Sequence, residues 1–242
     1  MRVAVTGASG LIGTALVPHL RSVGHEVVRL VRRTASAADE VQWDPKAGTV
    51  DLDALGGVDG VVHLAGAGVG DHRWTDDYKR EILDSRIDGT HTIARAMAAL
   101  DPRPQVLVSA SAIGWYGDTG DRIVDESAPA GQGFLADVVR AWEAAAQPAA
   151  SAGIRVVHPR TGLVVSGSGG AWARMFPLFK MGVGAGSGRV ASTGRGSPCA
   201  TRCAPCSSSS SSRTSAGRST SRDPIRSPTP RSPGPWGPCW AA

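Results

Sequence analysis

Two short stretches of this 242-residue chain hold residue types at spacings that could do chemistry. The first is Thr6-Gly7-Ala8-Ser9-Gly10-Leu11-Ile12-Gly13. Glycines three apart let a backbone turn tightly, approach a pyrophosphate and pack a helix close to a sheet, while the helix N-terminus offers free N–H groups and positive dipole to phosphate oxygens. The spacing is GxxGxxG and not the GxGxxG of the standard fingerprint, so the glycines alone are a weak signal. Their place, after an apolar β-rich run at residues 3–6 and at the start of a helical pattern, turns that weak signal into a dinucleotide site. Gly7, Ser9, Gly10, Leu11, Ile12 and Gly13 are therefore expected around the pyrophosphate. At the end of the second apolar run, where an acidic residue would hold the ribose of NAD, the chain has Arg32-Arg33. A guanidinium suits a 2′-phosphate, and the expected cofactor is NADP. The second stretch is Ser109-Ala110-Ser111-Ala112-Ile113-Gly114-Trp115-Tyr116-Gly117, rich in hydroxyls.

These residues need elements to place them. Ile12, Leu16 and Leu20 recur every four residues, the period of one helix face, and Gly24 follows as a C′ stop. Residues 26–31 read as a second strand, 41–43 as a short third and 58–65 as a fourth. A long helix is expected over 75–100, with Ile82, Leu83, Ile87, Ile93 and Met97 on or near one face and Pro102 and Pro104 closing it. Residues 105–110 read as a strand, 134–152 as a helix and 154–158 as a last strand. Strand–helix–strand alternation implies right-handed crossovers and a parallel sheet covered on both faces. The fold class is doubly wound α/β of the Rossmann type, whose ligands lie outside the carboxyl ends of the strands, in the loops after Val5, Val31, Leu64, Val108 and Val157.

Composition divides the chain. Its formal charge is +5, yet residues 190–242 carry seven Arg, no Lys and a single acid, Asp223, leaving 19 basic and 20 acidic residues in 1–189. The body is near neutral, so its charge argues for neither nucleic acid nor an anionic membrane as partner. No apolar run approaches the ~18 residues of a membrane span, and the first residues lack the apolar core and cleavage site of a signal peptide, from which a cytoplasmic location is expected. His63, His91 and His158 lack ligand spacing, and no metal site is expected.

TGASGLIG, the Arg pair, His63-Leu64-Ala65-Gly66-Ala67-Gly68 and Ser109 to Gly117 resemble the extended short-chain dehydrogenase/reductases, and more narrowly their atypical, sugar-nucleotide epimerase-like branch. Trp74, Lys79, Asp84-Ser85-Arg86, Phe134-Leu135-Ala136, Trp142-Glu143 and Arg160-Thr161-Gly162 add to the likeness, which runs to about residue 189. The resemblance implies Leu64, Ala65 and Gly66 on the adenosine-ribose side and Ser109, Ser111 and Tyr116 facing the nicotinamide as catalytic candidates. Lys79 and Arg86 have a solvated helix face as their default role, and the resemblance raises an anionic substrate for them. The superfamily's Tyr-x-x-x-Lys pair is missing, because the corresponding stretch begins Phe134-Leu135-Ala136-Asp137-Val138. Two readings stay open: an NADP-dependent epimerase or oxidoreductase acting on a sugar nucleotide or small carbonyl compound, and an NADP(H)-binding redox sensor without turnover.

The expected organisation is a nucleotide-binding domain over 1–162, the start of a substrate-side subdomain over 163–189, truncated relative to the family, and a tail from 190. The tail holds all four cysteines, and Cys199-x-x-x-Cys203-x-x-Cys206 has the spacing of a radical S-adenosylmethionine cluster loop. Its Ser-, Pro-, Arg- and Gly-rich composition cannot bury a core and is expected to be disordered. One shift of reading frame near Val190 turns consecutive TCN serine codons into codons for Phe, Leu, Ile or Val, so residues 207–212 would conceal an apolar helix. The same shift permits family-like segments at three places in order, and an out-of-frame tail is the favoured explanation. An Arg/Ser-rich RNA-binding tail is the rival.

Overall fold

A computed structural model describes residues 1–167, 169–170, 177 and 180–181 of the chain. The tail from 190, with its cysteines, and nearly all of 171–189 lie outside the described residues, as do the expectations attached to them. The elements are β1 (Arg2–Thr6), α1 (Gly13–Ser22), β2 (Glu26–Val31), β3 (Glu40–Asp44), β4 (Thr49–Val50), α2 (Leu52–Leu55), β5 (Gly60–His63), α3 (Asp76–Ala99), β6 (Val106–Ser109), β7 (Ser111–Ala112), a 3₁₀ turn (Ile113–Tyr116), α4 (Phe134–Ala144), α5 (Gln147–Ser151), β8 (Arg155–Val157) and β9 (Arg160–Thr161). A seven-stranded sheet has the order β4-β3-β2-β1-β5-β6-β8, and β7 pairs with β9 beyond its carboxyl edge. Every pairing is parallel except the two-residue β3–β4 ladder. The doubly wound Rossmann architecture expected from the alternation is present.

Alternation along the strands sends side chains to two cores. Val3, Val5 and Val27 meet Val17 and Leu20 of α1 on one face. Ala4, Val28, Leu30, Val61 and Leu107 meet Ile93, Ala94 and Met97 of α3 and Ala149 of α5 on the other. Each fully buried aliphatic side chain there contributes roughly 1.5–3 kcal/mol, so this second, larger layer fixes the strand ends that frame the site.

The long helix begins where Thr75 accepts a hydrogen bond from the Tyr78 N–H at 3.2 Å, with Asp76 and Asp77 in the first turn favoured by the dipole. Gly24, with φ of 86°, follows α1 as its stop. The single helix expected over 134–152 is two, α4 and α5. Pro148 is the reason: its ring conflicts with the carbonyl of Ala144 four residues earlier, so the chain leaves the helix there and restarts.

Candidate functional site

The carboxyl ends of β1, β2 and β5 open into a cleft of about 1590 Å³. Gly7, Ser9, Gly10, Arg32, Arg33, Leu64, Ala65 and Gly66 line it, which gathers eight of the eleven residues expected to bind cofactor. Leu11, Ile12 and Gly13 do not line it. Gly13 acts by packing, since a Cβ there would fall 2.3 Å from the Gly7 carbonyl oxygen. Gly7 has φ of 66° and brings its Cα against the Leu64–Ala65 peptide, where a Cβ would come within 2.9 Å of Ala65 N. The turn closes with Gly10 N–H donating to Gly7 O at 2.9 Å, and Thr14 N–H makes the next bond, to Gly10 O. The N–H groups of Leu11, Ile12 and Gly13 make no hydrogen bond among the described residues. That leaves a cradle of open donors at a helix start, as a pyrophosphate requires.

The two arginines are not equivalent. Arg33 is spent on Glu40, with Nη1 at 2.8 Å from Oε2 and Nη2 at 2.6 Å from Oε1. Glu40 also receives Ser36 N–H and Oγ and the Arg29 guanidinium, and its side chain is only 2% exposed. Arg33, then the Ser36 N–H, draw the Glu40 carboxyl down to about 2. Arg32 is exposed, lines the cleft and bonds no group among the described residues. Across the cleft Asp77, Glu81, Asp84 and Asp88 stand at helical spacing on α3, so the basic end at β2 faces an acidic wall.

Arg86 does not reach the cleft. It is 8% exposed, donates from Nη1 to the Ala67 and Ile82 carbonyls at 3.0 Å each, and stacks on Trp142 at 4.9 Å. With Ser85, whose Oγ accepts from Ala67 N–H at 3.1 Å, it pins the loop after β5 from behind. Lys79 pairs with Asp76 at 3.7 Å and lies 6.0 Å from the Phe134 ring.

The three catalytic candidates are placed differently from one another, and none lines the cleft. Ser109 is wholly buried and its Oγ has no partner among the described residues. Ser111 donates to Glu143 Oε1 at 2.6 Å. Arg160 clasps the same carboxylate at 2.9 Å through Nε and 2.9 Å through Nη2, donates from Nη1 to the Tyr116 hydroxyl at 3.2 Å, and lies 3.9 Å from the Trp115 ring. Burial opposes ionisation of Glu143, but hydrogen bonds from Arg160 and Ser111 outweigh it and hold the carboxyl below its usual range. Glu143 raises Arg160 in turn. Ser111 and Tyr116 are thus joined through a largely buried ion pair, and Glu143 and Arg160 are site residues to which sequence reasoning gave no role. His158, at the end of β8, is lowered by burial. In the stretch where the resemblance expects the Tyr-x-x-x-Lys pair, Phe134 meets Trp74 edge-on at 5.5 Å, and Val138 is buried with Tyr78 and Ile82.

One more pair was missed. Thr6 Oγ1 accepts from Leu64 N–H at 3.0 Å and Ala65 N–H at 3.2 Å, and stands 2.7 Å from His63 Nδ1. These side chains tie β1 to β5 beneath the cleft. The sequence shows Thr6 heading the glycine motif and His63 heading the loop after β5, but nothing in their spacing pairs them.

Residues 3–168 match the model of the NAD dependent epimerase/dehydratase family. An epimerase family protein of Mycobacterium bovis is 47% identical over 189 residues, which cover 77% of this chain and 62% of that protein. The solved nucleoside-diphosphate sugar epimerase from Corynebacterium glutamicum is 39% identical with a TM-score of 0.68, covering 78% of this chain and 39% of that one. The human epimerase family protein SDR39U1 (isoform 2), solved with NADPH, is 33% identical with a TM-score of 0.67, over 76% of this chain and 61% of that one. The chain therefore spans about three-fifths of the length of the curated relative.

Proposed function

Since the chain belongs to the NAD dependent epimerase/dehydratase family, we propose that its cleft binds NADP(H) and that the bound nucleotide serves an oxidoreductase or epimerase reaction on a sugar nucleotide or a small carbonyl compound. The observation that carries the cofactor is Arg32: an exposed guanidinium without a protein partner among the described residues, in the same cleft as the open N–H groups of the glycine turn. A cleft that leaves a cation and three donors unspent among the described residues fits an anionic ligand. The relative solved with NADPH supports the same choice. Gly7, Ser9, Gly10 and Gly13 shape the pyrophosphate turn, Arg32 meets the 2′-phosphate with Arg33 braced behind it, and Leu64, Ala65 and Gly66 flank the adenosine ribose.

When bound, NADP(H) supplies hydride exchange at its nicotinamide. The proton falls to the chain's own hydroxyls. Ser111 spends its proton on Glu143 and keeps lone pairs to accept one, whereas Tyr116 accepts from Arg160 and keeps its own O–H to donate. Tyr116 is the donor for reducing a carbonyl, and for oxidising an alcohol Ser111 takes the alcohol proton as its own passes to Glu143. Ser109, buried and without a side-chain partner among the described residues, is given no step.

A second reading, an NADP(H)-binding sensor without turnover, is favoured by Phe134 and Val138 in the stretch where the resemblance expects the acid/base pair. Titration of the full chain with NADPH and NADH, followed by nicotinamide absorbance in the presence of nucleoside-diphosphate sugars and simple carbonyls, separates them. Oxidation of NADPH by any panel member supports the enzyme. Because an epimerase returns its hydride and consumes no NADPH, tight NADPH binding supports the sensor only where neither NADPH oxidation nor conversion of any sugar nucleotide to its epimer is found, and no preference for NADPH over NADH sinks the cofactor assignment.

A further inference from the structure

The Thr6 hydroxyl is fully subscribed. A hydroxyl has two lone pairs and one proton. Leu64 N–H and Ala65 N–H take both lone pairs, so the proton is left for the third neighbour, His63 Nδ1, at 2.7 Å. Nδ1 must then be the bare nitrogen, and the ring carries its hydrogen on Nε2. That nitrogen has no partner among the described residues. It faces Gly89 of α3, where an added Cβ would come within 3.4 Å, and the edge of Trp43 lies across the ring. The imidazole is fully buried, its Nε2–H is left unsatisfied, and Nδ1 is its one hydrogen-bonding contact. Such a group costs free energy unless its single bond does something for the fold or the site.

What the bond does is set the direction of the Thr6 proton, and with it the lone pairs that hold the Leu64 and Ala65 amides. Those amides belong to the loop lining the adenosine side of the cleft, and Ala65 N is also the atom against which Gly7 is packed. We propose that His63 is a positioning residue for the cofactor: acting through Thr6, it latches the loop after β1 to the loop after β5 at the separation that a dinucleotide needs. The proposal rests on the NADP(H) reading of the cleft.

Two measurements test it, both on the full chain. The first is NADPH affinity, from fluorescence titration at neutral pH. In His63→Asn the amide oxygen can stand where Nδ1 stands and accept from Thr6, and affinity stays within about threefold of wild type. In His63→Leu the acceptor is gone, and affinity falls roughly three- to tenfold, the weight of one neutral hydrogen bond. Thr6→Val, which also takes away the acceptor of the Leu64 and Ala65 amides, falls by at least that factor. Because the two side chains act as one unit, the double variant Thr6→Val/His63→Leu binds no more weakly than the worse single variant. The second is the ¹⁵N spectrum of the His63 ring in wild-type protein, which needs no ligand: the latch requires the Nε2–H tautomer.

Equal NADPH affinity in His63→Leu and wild type overturns the latch, as does strict additivity in the double variant or an Nδ1–H tautomer. Each of these leaves the cofactor reading standing so long as wild-type protein binds NADPH. Wild-type protein that binds no NADPH overturns both.

Discussion

Arg33 grips Glu40 with both terminal nitrogens, while Arg32 beside it faces the cleft without a partner among the described residues. Neighbouring residues of one type thus have opposite duties, and substitution separates them. With Arg32 on the 2′-phosphate as proposed, Arg32→Ala removes a charge-assisted contact worth about 1.5–3 kcal/mol, and NADPH affinity drops roughly tenfold to a hundredfold. NADH affinity moves by less than about twofold. Arg33→Ala leaves the buried Glu40 carboxylate short of its main partner, so its effect is a lower unfolding midpoint with the NADPH/NADH ratio nearly kept. Fluorescence titration with both nucleotides and thermal unfolding of each variant check the division. A loss of nucleotide preference in Arg33→Ala equal to that in Arg32→Ala contradicts it.

Acid stability follows from groups shifted in the same downward direction with different consequences. Burial pushes His63 down to about 4. In the unfolded chain an imidazole protonates near ~6.5, so the unfolded state binds the proton first and stability falls as pH drops from about 6.5 to about 4. The most that His63 can withdraw is on the order of 3 kcal/mol. His158, lowered by burial, acts in the same sense. Asp39, held by Arg29 and Arg21, and Glu40, held by Arg33 and Ser36, are each drawn down to about 2. Their contribution is intact above the usual carboxylate range and disappears only as pH falls toward about 2. Urea unfolding at stepped pH shows two windows of loss, and His63→Asn flattens the upper one while leaving the lower. An unchanged upper window in His63→Asn assigns the loss elsewhere.

Much of this architecture is legible in the chain, and the failures have local causes. The runs at β1, β2 and β5 are apolar, β-branched and bounded by glycine, so they announce buried parallel strands. The sequence shows the third strand only as 41–43, whereas Glu40 and Asp44 extend it at either end. The Glu40 carboxylate is buried because Arg29 of β2 and Arg33 and Ser36 of the loop that follows converge on it. Two-residue strands such as β4, β7 and β9 have no period to detect. The glycine turn and the Arg pair carry their chemistry in local spacing and were readable. The Ser111–Glu143–Arg160–Tyr116 chain joins four segments, and no spacing rule brings Glu143 to Arg160.

The reading frame of the C-terminal tail has a direct test. If residues from about 190 are translated out of frame, the six serines at 207–212 are encoded mostly by TCN triplets, whose shifted reading gives only Phe, Leu, Ile or Val. Sequencing the gene across these codons decides it. Mostly AGC or AGT triplets refute the frame shift and turn attention to the Arg/Ser composition of the tail, which RNA binding at stepped salt then examines in full-length protein and in a chain ending before residue 190.

Breaking the Glu143–Arg160 pair from one side differs from removing it. Both side chains are mostly buried, at 12% and 16% exposure, and Arg160 also covers Trp115 and reaches Tyr116. Glu143→Ala strands a buried guanidinium, which costs about 3 kcal/mol or more; partial exposure trims this to about 2–3 kcal/mol. Arg160→Met strands the carboxylate, with Ser111 as its remaining donor, at similar cost. The double variant Glu143→Leu/Arg160→Met removes both charges and fills the volume, so it unfolds at a higher denaturant concentration than either single variant. The same cycle reads the site. Arg160→Met frees the Tyr116 hydroxyl from its donor, so any NADPH oxidation found with the carbonyl panel falls with it, while NADPH affinity, proposed to be set in the cleft at β1, β2 and β5, which Arg160 does not line, holds within about threefold. Single variants more stable than the double would show that the pair is not the unit the geometry makes it.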